Sequence, residues 1–94
     1  MSERTFHLTV VTPQRVFFDG QISALLVPGG AGRFGILVNH APLISTLLPG
    51  RLVLTTPDGK KQSLMIGGGF VDVLNNEVTL VTETVTSEDA QKSS

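Results

Sequence analysis

The chain has 94 residues, with seven Lys or Arg, eight Asp or Glu, no cysteine and a formal charge of −1. That length holds one small core of two packed layers, which excludes a doubly wound α/β enzyme or a barrel of eight strand–helix units. The near-neutral charge excludes recruitment of nucleic acid or an anionic membrane by bulk electrostatics, and the absent thiols exclude a disulfide framework, a thiolate metal site and a cysteine nucleophile.

Taken in chain order, the residues predict short β-strands ended by turn signals. Phe6, Leu8 and Val10 share one face of the first segment, with His7, Thr9 and Val11 on the other, and Thr12-Pro13 ends it. Arg15 to Asp19 follows, ended by Gly20. Gln21 to Val27 then runs to a break over Pro28-Gly29-Gly30-Ala31-Gly32. Phe34 to Val38 and Pro42 to Leu48 come next, with an abrupt corner at Asn39-His40-Ala41. Pro49-Gly50 suits the centre of a type II turn, and Pro57-Asp58-Gly59 is another turn after Arg51 to Thr56. Lys61 to Ile66 precedes Gly67-Gly68-Gly69. Phe70 to Leu74 and Glu77 to Val85 flank Asn75-Asn76, whose tolerance of positive φ suits a tight hairpin. The spacing predicts an all-β fold: a two-sheet β-sandwich of about nine to ten short strands, mostly antiparallel. The expected domain is 1–86. A polar tail over 87–94 follows, where Thr86 or Ser87 ahead of acids resembles a helix start. The N-terminus leads into an alternating segment, with no apolar run of signal-peptide type. Stretches such as Ala24 to Pro28 fall far short of the roughly 18 apolar residues of a spanning helix.

Charged residues make up only 16% of the chain, against an ordinary figure near 25%. Several strands are apolar on both faces. Ile22, Ala24 and Leu26 oppose Leu25 and Val27; Leu43 and Leu47 oppose Ile44 and Leu48; Phe70 and Leu74 oppose Val71 and Val73. A sandwich buries one face of each sheet, so part of this set is expected to meet another protein or lie under a loop.

Motifs for chemistry are sparse. Gly30-Ala31-Gly32-Arg33-Phe34-Gly35 matches G-x-G-x-x-G, but a strand and Pro42 follow it, so no helix N-terminus is available for a pyrophosphate. A glycine-rich β-turn is expected there. Gly67-Gly68-Gly69 lacks the Lys-Ser/Thr of a phosphate loop and reads as a bulge or a close backbone approach. His7 and His40 are the only histidines and form no local ligand pair, so no metal site is expected. His7 reads as a surface or interface residue. His40 reads either as a local hydrogen-bonding element or as a partner contact. Lys60-Lys61 reads as a solvated turn. No serine sits in a nucleophile elbow, and five Phe without Tyr or Trp offer little base stacking. No catalytic residue, cofactor site or small-molecule substrate is expected.

Phe6-His7-Leu8-Thr9-Val10-Val11-Thr12-Pro13, Phe18-Asp19-Gly20 and Gly32-Arg33-Phe34-Gly35-Ile36-Leu37-Val38-Asn39-His40-Ala41-Pro42-Leu43 resemble the epsilon-subunit family of F-type ATP synthases. So do Leu48-Pro49-Gly50, Gly67-Gly68-Gly69-Phe70-Val71-Asp72-Val73 and Asn76-Glu77-Val78-Thr79-Leu80. The resemblance implies a non-catalytic central-stalk rotor subunit, a two-sheet sandwich that links the gamma subunit to the c-ring and couples proton flow to ATP synthesis. It implies a peripheral position on the cytoplasmic face of a bacterial inner membrane, or on an equivalent organellar membrane. By position, Gly29, Gly30, Ala31, Gly32, Arg33 and His40 would face the c-ring, and Thr12, Leu43 and Ser45 would face gamma. Many relatives carry an acidic or neutral residue where this chain has Arg33, so Arg33 is expected to meet a carboxylate on its own ring. Typical members continue into a two-helix hairpin that inhibits ATP hydrolysis and in some members binds ATP. This chain stops where the first helix would begin, so neither a nucleotide site nor a helical brake is expected in it. Two other classes stay open: a free-standing β-sandwich recognition module with an aromatic-lined groove, and a small enzyme using His40 with a nearby acid.

Overall fold

A computed structural model describes residues 4–87. Its elements are β1 (Phe6–Val11), β2 (Val16–Ile22), β3 (Ala24–Gly29), β4 (Gly32–Leu37), β5 (Leu43–Thr55), β6 (Lys61–Leu74), β7 (Glu77–Thr82) and β8 (Val85–Ser87). The fold is all-β. The strands follow one path, β2-β1-β7-β6-β5-β3-β4, with β8 added alongside β6. Every pairing is antiparallel except β1 with β7.

The path folds over on itself because β5 and β6 are long enough to serve both layers. Their first and last halves pair in one register, from Leu43 opposite Val73 to Thr55 opposite Lys61. The buried side changes midway. In β5 it passes from odd positions ending at Leu47 to even positions Leu52 and Leu54; in β6 it passes from Leu64 and Ile66 to Val71 and Val73. The corner lies at Leu48 to Arg51 against Met65 to Gly69. One layer is therefore β2-β1-β7 with the end of β6 and the start of β5. The other is β4-β3 with the end of β5, the start of β6, and β8. Strands that switch sheets through a bend are a standard way to close a sandwich.

Pro49-Gly50 is thus not a chain reversal. Pro49 pairs with Gly67 and Gly50 with Ile66 inside continuous strands, so two expected breaks become one shared corner. This brings the strand number to eight among the described residues. Gly69 shows why glycine stands there: at φ 141°, a Cβ would lie 1.9 Å from the Val81 carbonyl oxygen of β7. The close approach expected of the triple glycine is present. Gly20 also lies inside a strand, opposite Leu8, and the chain breaks at Ser23 instead. Ser23 Oγ donates to the Thr55 and Thr56 carbonyls at 3.2 and 3.3 Å, which ties that crossing from one layer to the other.

The core is one cluster drawn from both layers. Phe6, Leu8 and Val10 of β1 and Val78 and Leu80 of β7 face Leu25, Val27, Ile36, Leu52, Leu54 and Leu64. The alternation expected of β1 holds at each position. No buried side-chain polar atom among the described residues lacks a hydrogen-bond partner. The sandwich extends through Ser87, which pairs with Leu64 in β8. The rest of the expected polar tail, 88–94, lies outside the described residues.

Candidate functional site

The outward side of the first layer is ordered in rows by the strand registers. The row nearest the corner is Thr46, Phe70, Val81, Val11 and Val16, crossing β5, β6, β7, β1 and β2. The next is Ile44, Asp72, Thr79, Thr9 and Asp19, and the third is Leu74, Glu77, His7 and Gln21. The face thus grades from apolar at the corner to ionic at the far end. Ile44 is 73% exposed, Val16 55% and Phe70 44%, with Leu48 and Leu74 also open. Pro13 and Phe70 flank a groove of about 320 Å³ whose walls also include Val11, Val81 and Gly69. The second layer exposes Leu37, Leu26 and Met65 on its outer side. The surplus apolar surface read from the two-faced strands is therefore exposed, and no loop of the described residues covers it.

The two sets of expected site residues are placed differently. Gly29 to Arg33 form the tip of the β3–β4 hairpin: Gly29 pairs with Gly32, Pro28 pairs with Arg33, and Gly30-Ala31 make the turn. This is the expected glycine-rich β-turn. Its place is set by Gly30 N–H, which donates to the Thr46 carbonyl at 3.1 Å, beside the apolar row. Arg33 Nη1 donates to the Arg51 carbonyl at 3.0 Å, so its guanidinium lies against the second layer. His40 does not join them. It follows β4 at the opposite end, about 20 Å away along a six-residue strand.

Thr12 is buried and builds the β1–β2 turn. It exchanges backbone bonds with Arg15, and its hydroxyl donates to the Arg15 carbonyl at 3.2 Å. It also lines the Pro13–Phe70 groove. Leu43 and Ser45 are half-buried on the core side of β5, and Leu43 packs against the core cluster. The outward side of that strand is Ile44, Thr46 and Leu48 instead. The two sides of the strand are those that period-2 alternation sets apart, with Leu43 and Leu47 on one and Ile44 and Leu48 on the other.

His40 sits in a shallow polar hollow with Asn39, Ala41, Pro42, Asn75 and Asn76. Its Nδ1–H donates to the Ala41 carbonyl at 2.7 Å, the local hydrogen-bonding role. Among the described residues no carboxylate lines the hollow and none is paired with His40. Asn39 and Asn76 clasp each other: Asn39 N–H donates to Asn76 Oδ1 at 2.6 Å, and Asn76 Nδ2 donates to Asn39 Oδ1 at 3.0 Å. Both residues, and Asn75, hold positive φ, as the hairpin reading of Asn75-Asn76 requires. The clasp ties the β4–β5 corner to the β6–β7 hairpin.

His7 lies in the third row with one carboxylate on each side. Its Nδ1–H donates to Glu77 Oε1 at 2.8 Å and its Nε2–H to Asp19 Oδ1 at 2.5 Å. These bonds, Asp19 first and Glu77 second, raise its pKa above 6.5 against an opposing effect of desolvation.

These features define a small β-sandwich domain that presents apolar side chains on its outer faces. Comparison with known proteins agrees. The ATP synthase delta/epsilon-chain β-sandwich domain matches residues 5–88. The ATP synthase epsilon chain of Chlorobium limicola is 40% identical over 84 residues, covering 89% of this chain and 96% of that one. That of Nitratiruptor is 42% identical over 79 residues, covering 84% of this chain and 61% of that relative. A chain of the Euglena gracilis mitochondrial ATP synthase structure comprising OSCP, F1 and c-ring superposes with a TM-score of 0.84 at 23% identity, covering 99% of this chain and 62% of that one. One from the central stalk and c-ring structure of Tetrahymena thermophila mitochondrial ATP synthase gives 0.74 at 19%, covering 92% and 69%. The chain belongs to the ATP synthase epsilon-chain family, as a peripheral part of a membrane-bound complex.

Proposed function

We propose that this chain is a non-catalytic rotor subunit that joins gamma to the c-ring and so couples proton flow to ATP synthesis. In this reading it sits on the cytoplasmic face of a bacterial inner membrane, or on an equivalent organellar membrane. The observation that carries the proposal is the exposed apolar row on the outer side of a layer whose inner side is already buried in the core. Fully covering an exposed Phe or Ile side chain contributes on the order of 1.5–3 kcal/mol, so the partly exposed Phe70, Ile44 and Leu48 supply apolar anchors within a larger contact.

Gamma takes the first-layer face, centred on Phe70 and the groove that Thr12 borders, with Ile44 and Thr46 replacing their core-side neighbours Leu43 and Ser45 as contacts. The c-ring takes the β3–β4 tip at Gly29 to Arg33, where a guanidinium and an open backbone meet a loop carboxylate. His40, at the other end, belongs to neither contact. The test is a binding titration of gamma against the chain and its Phe70→Asp variant, with circular dichroism to show both folded. At least a tenfold loss of affinity in the folded variant is expected, in line with a central aromatic anchor. Unchanged affinity would remove gamma from this face.

A further inference from the structure

We propose that His7, Asp19 and Glu77 form a proton-held clasp that fastens the edge strand β2 to β7 across β1. The geometry fixes the charge state. Each ring nitrogen of His7 faces a carboxylate oxygen, at 2.5 Å on the Asp19 side and 2.8 Å on the Glu77 side. An ionised carboxylate only accepts hydrogen bonds, so both contacts together require both ring protons, which is the imidazolium. Neutral imidazole has one N–H and must leave one of the two carboxylates facing a lone pair.

Among the described residues the strands packed around the ring offer it no competing partner. β2 presents Asp19 and Gln21 to the ring, β7 presents Glu77 and Thr79, and β1 itself presents Thr9. No Lys or Arg occurs anywhere in β1, β2 or β7. In the next strand, Asp72 lies one row away opposite Thr79. The charges that these strands set around His7 are therefore all negative, from Asp19 of β2 and Glu77 of β7. His7 keeps 30% of its side chain exposed, so protons reach it without any opening of the fold.

The mechanical consequence follows from topology. Among the described residues β2 pairs only with β1 and is an edge strand of this layer. β1 and β7 make the one parallel pairing among the described residues, and parallel pairing is slightly weaker per residue. The clasp spans both ladders at once, at the end farthest from the apolar row. Deprotonation removes one cross-strand bond and leaves two like charges flanking a neutral ring, which loosens β2. The folded pKa is raised, so the clasp is fully present below 6.5 and is lost as pH rises through the folded value.

The experiment is a proton and nitrogen NMR titration of the His7 ring in the full chain, repeated in Asp19→Asn and Glu77→Gln. Amide exchange of β2 is followed over the same pH range and normalised for intrinsic exchange. The midpoint is expected above 6.5, with imidazolium nitrogen shifts at pH 6.5, and each substitution is expected to lower it. Protection of β2 amides should fall through that midpoint, while His7→Gln removes the step. A midpoint at or below 6.5, a midpoint indifferent to both substitutions, or β2 protection without a step in the wild-type chain would each overturn the proposal. All three substitutions lie on partly or fully exposed outer-face positions, so they leave the core intact.

Discussion

Gly69 offers the sharpest perturbation of the sandwich corner. Replacing it with Ala imposes a side chain at φ 141°, where L-residues rarely go, and sets Cβ 1.9 Å from the Val81 carbonyl oxygen. Real Cβ contacts do not fall below 3.0 Å, so β7 must retreat by more than an ångström from the strand it pairs with. Backbone strain costs about 1–2 kcal/mol, and each disturbed ladder bond costs about 1 more. The sum is about 3 kcal/mol, or about 12 °C or more in Tm for a domain of this size. Two other glycines separate the contributions. Gly32 has φ 133° and open space around its Cβ position, so Gly32→Ala carries the strain alone, about 1–2 kcal/mol. Gly35 has no positive φ and nothing nearer than the Leu25 carbonyl at 3.8 Å, so Gly35→Ala stays within about 0.5 kcal/mol. Thermal and urea unfolding of the three variants measure the order. If Gly69→Ala proved as stable as Gly35→Ala, the reasoning about the corner would be refuted.

The remaining predictions concern the clasped turns and the hairpin tip. Asn39→Ala loses the acceptor for Asn76 Nδ2 and places Ala at φ 65°, so it costs about 2 kcal/mol by urea unfolding, whereas Asn39→Gly, which loses the same acceptor but tolerates that φ, costs about half of this. The Thr56 hydroxyl donates to Asp58 and is the largest reason that its carboxyl titrates below 3.8. That contact favours folding above 3.8 and is lost as pH falls through the folded value; Thr56→Val should move the Asp58 midpoint upward in a carboxyl carbon NMR titration, and no movement would disprove the cause. Arg33→Glu should weaken c-ring binding and reverse its salt dependence; binding and salt slope equal to wild type would show that Arg33 meets no ring carboxylate.

What the sequence shows plainly is what period and turn chemistry control. Phe6, Leu8 and Val10 alternate inward as their spacing demands, and Asn75-Asn76 reverse the chain with the positive φ that asparagine tolerates. The division of β5 and β6 into shorter strands was not legible as a shared corner. Proline and glycine end strands and also bend them, and only the partner strand decides between the two. Pro49 has Gly67 opposite it, and Gly69 is pressed against β7, neither of which is visible along one chain. The exposed apolar face was legible as surplus, because strands apolar on both sides cannot bury both. Which residues point outward was harder. Resemblance points to Leu43 and Ser45, which lie half-buried on the core side of β5, whereas alternation leaves Ile44, Thr46 and Leu48 on the outer side. The separation of His40 from the Gly29–Arg33 tip needed the hairpin register, which sets them at opposite ends of β4. His7 was legible as an outward residue, but its two carboxylates come from β2 and β7, 12 and 70 positions away.

The central claim is that this sandwich is covered by gamma through its exposed first-layer face. The most direct test is to mix the purified chain with gamma from the same source at micromolar concentration and measure the complex mass by light scattering. The account predicts a stable one-to-one complex that Phe70→Asp dissolves. Separate masses for the two proteins at concentrations where even modest interfaces register would contradict it.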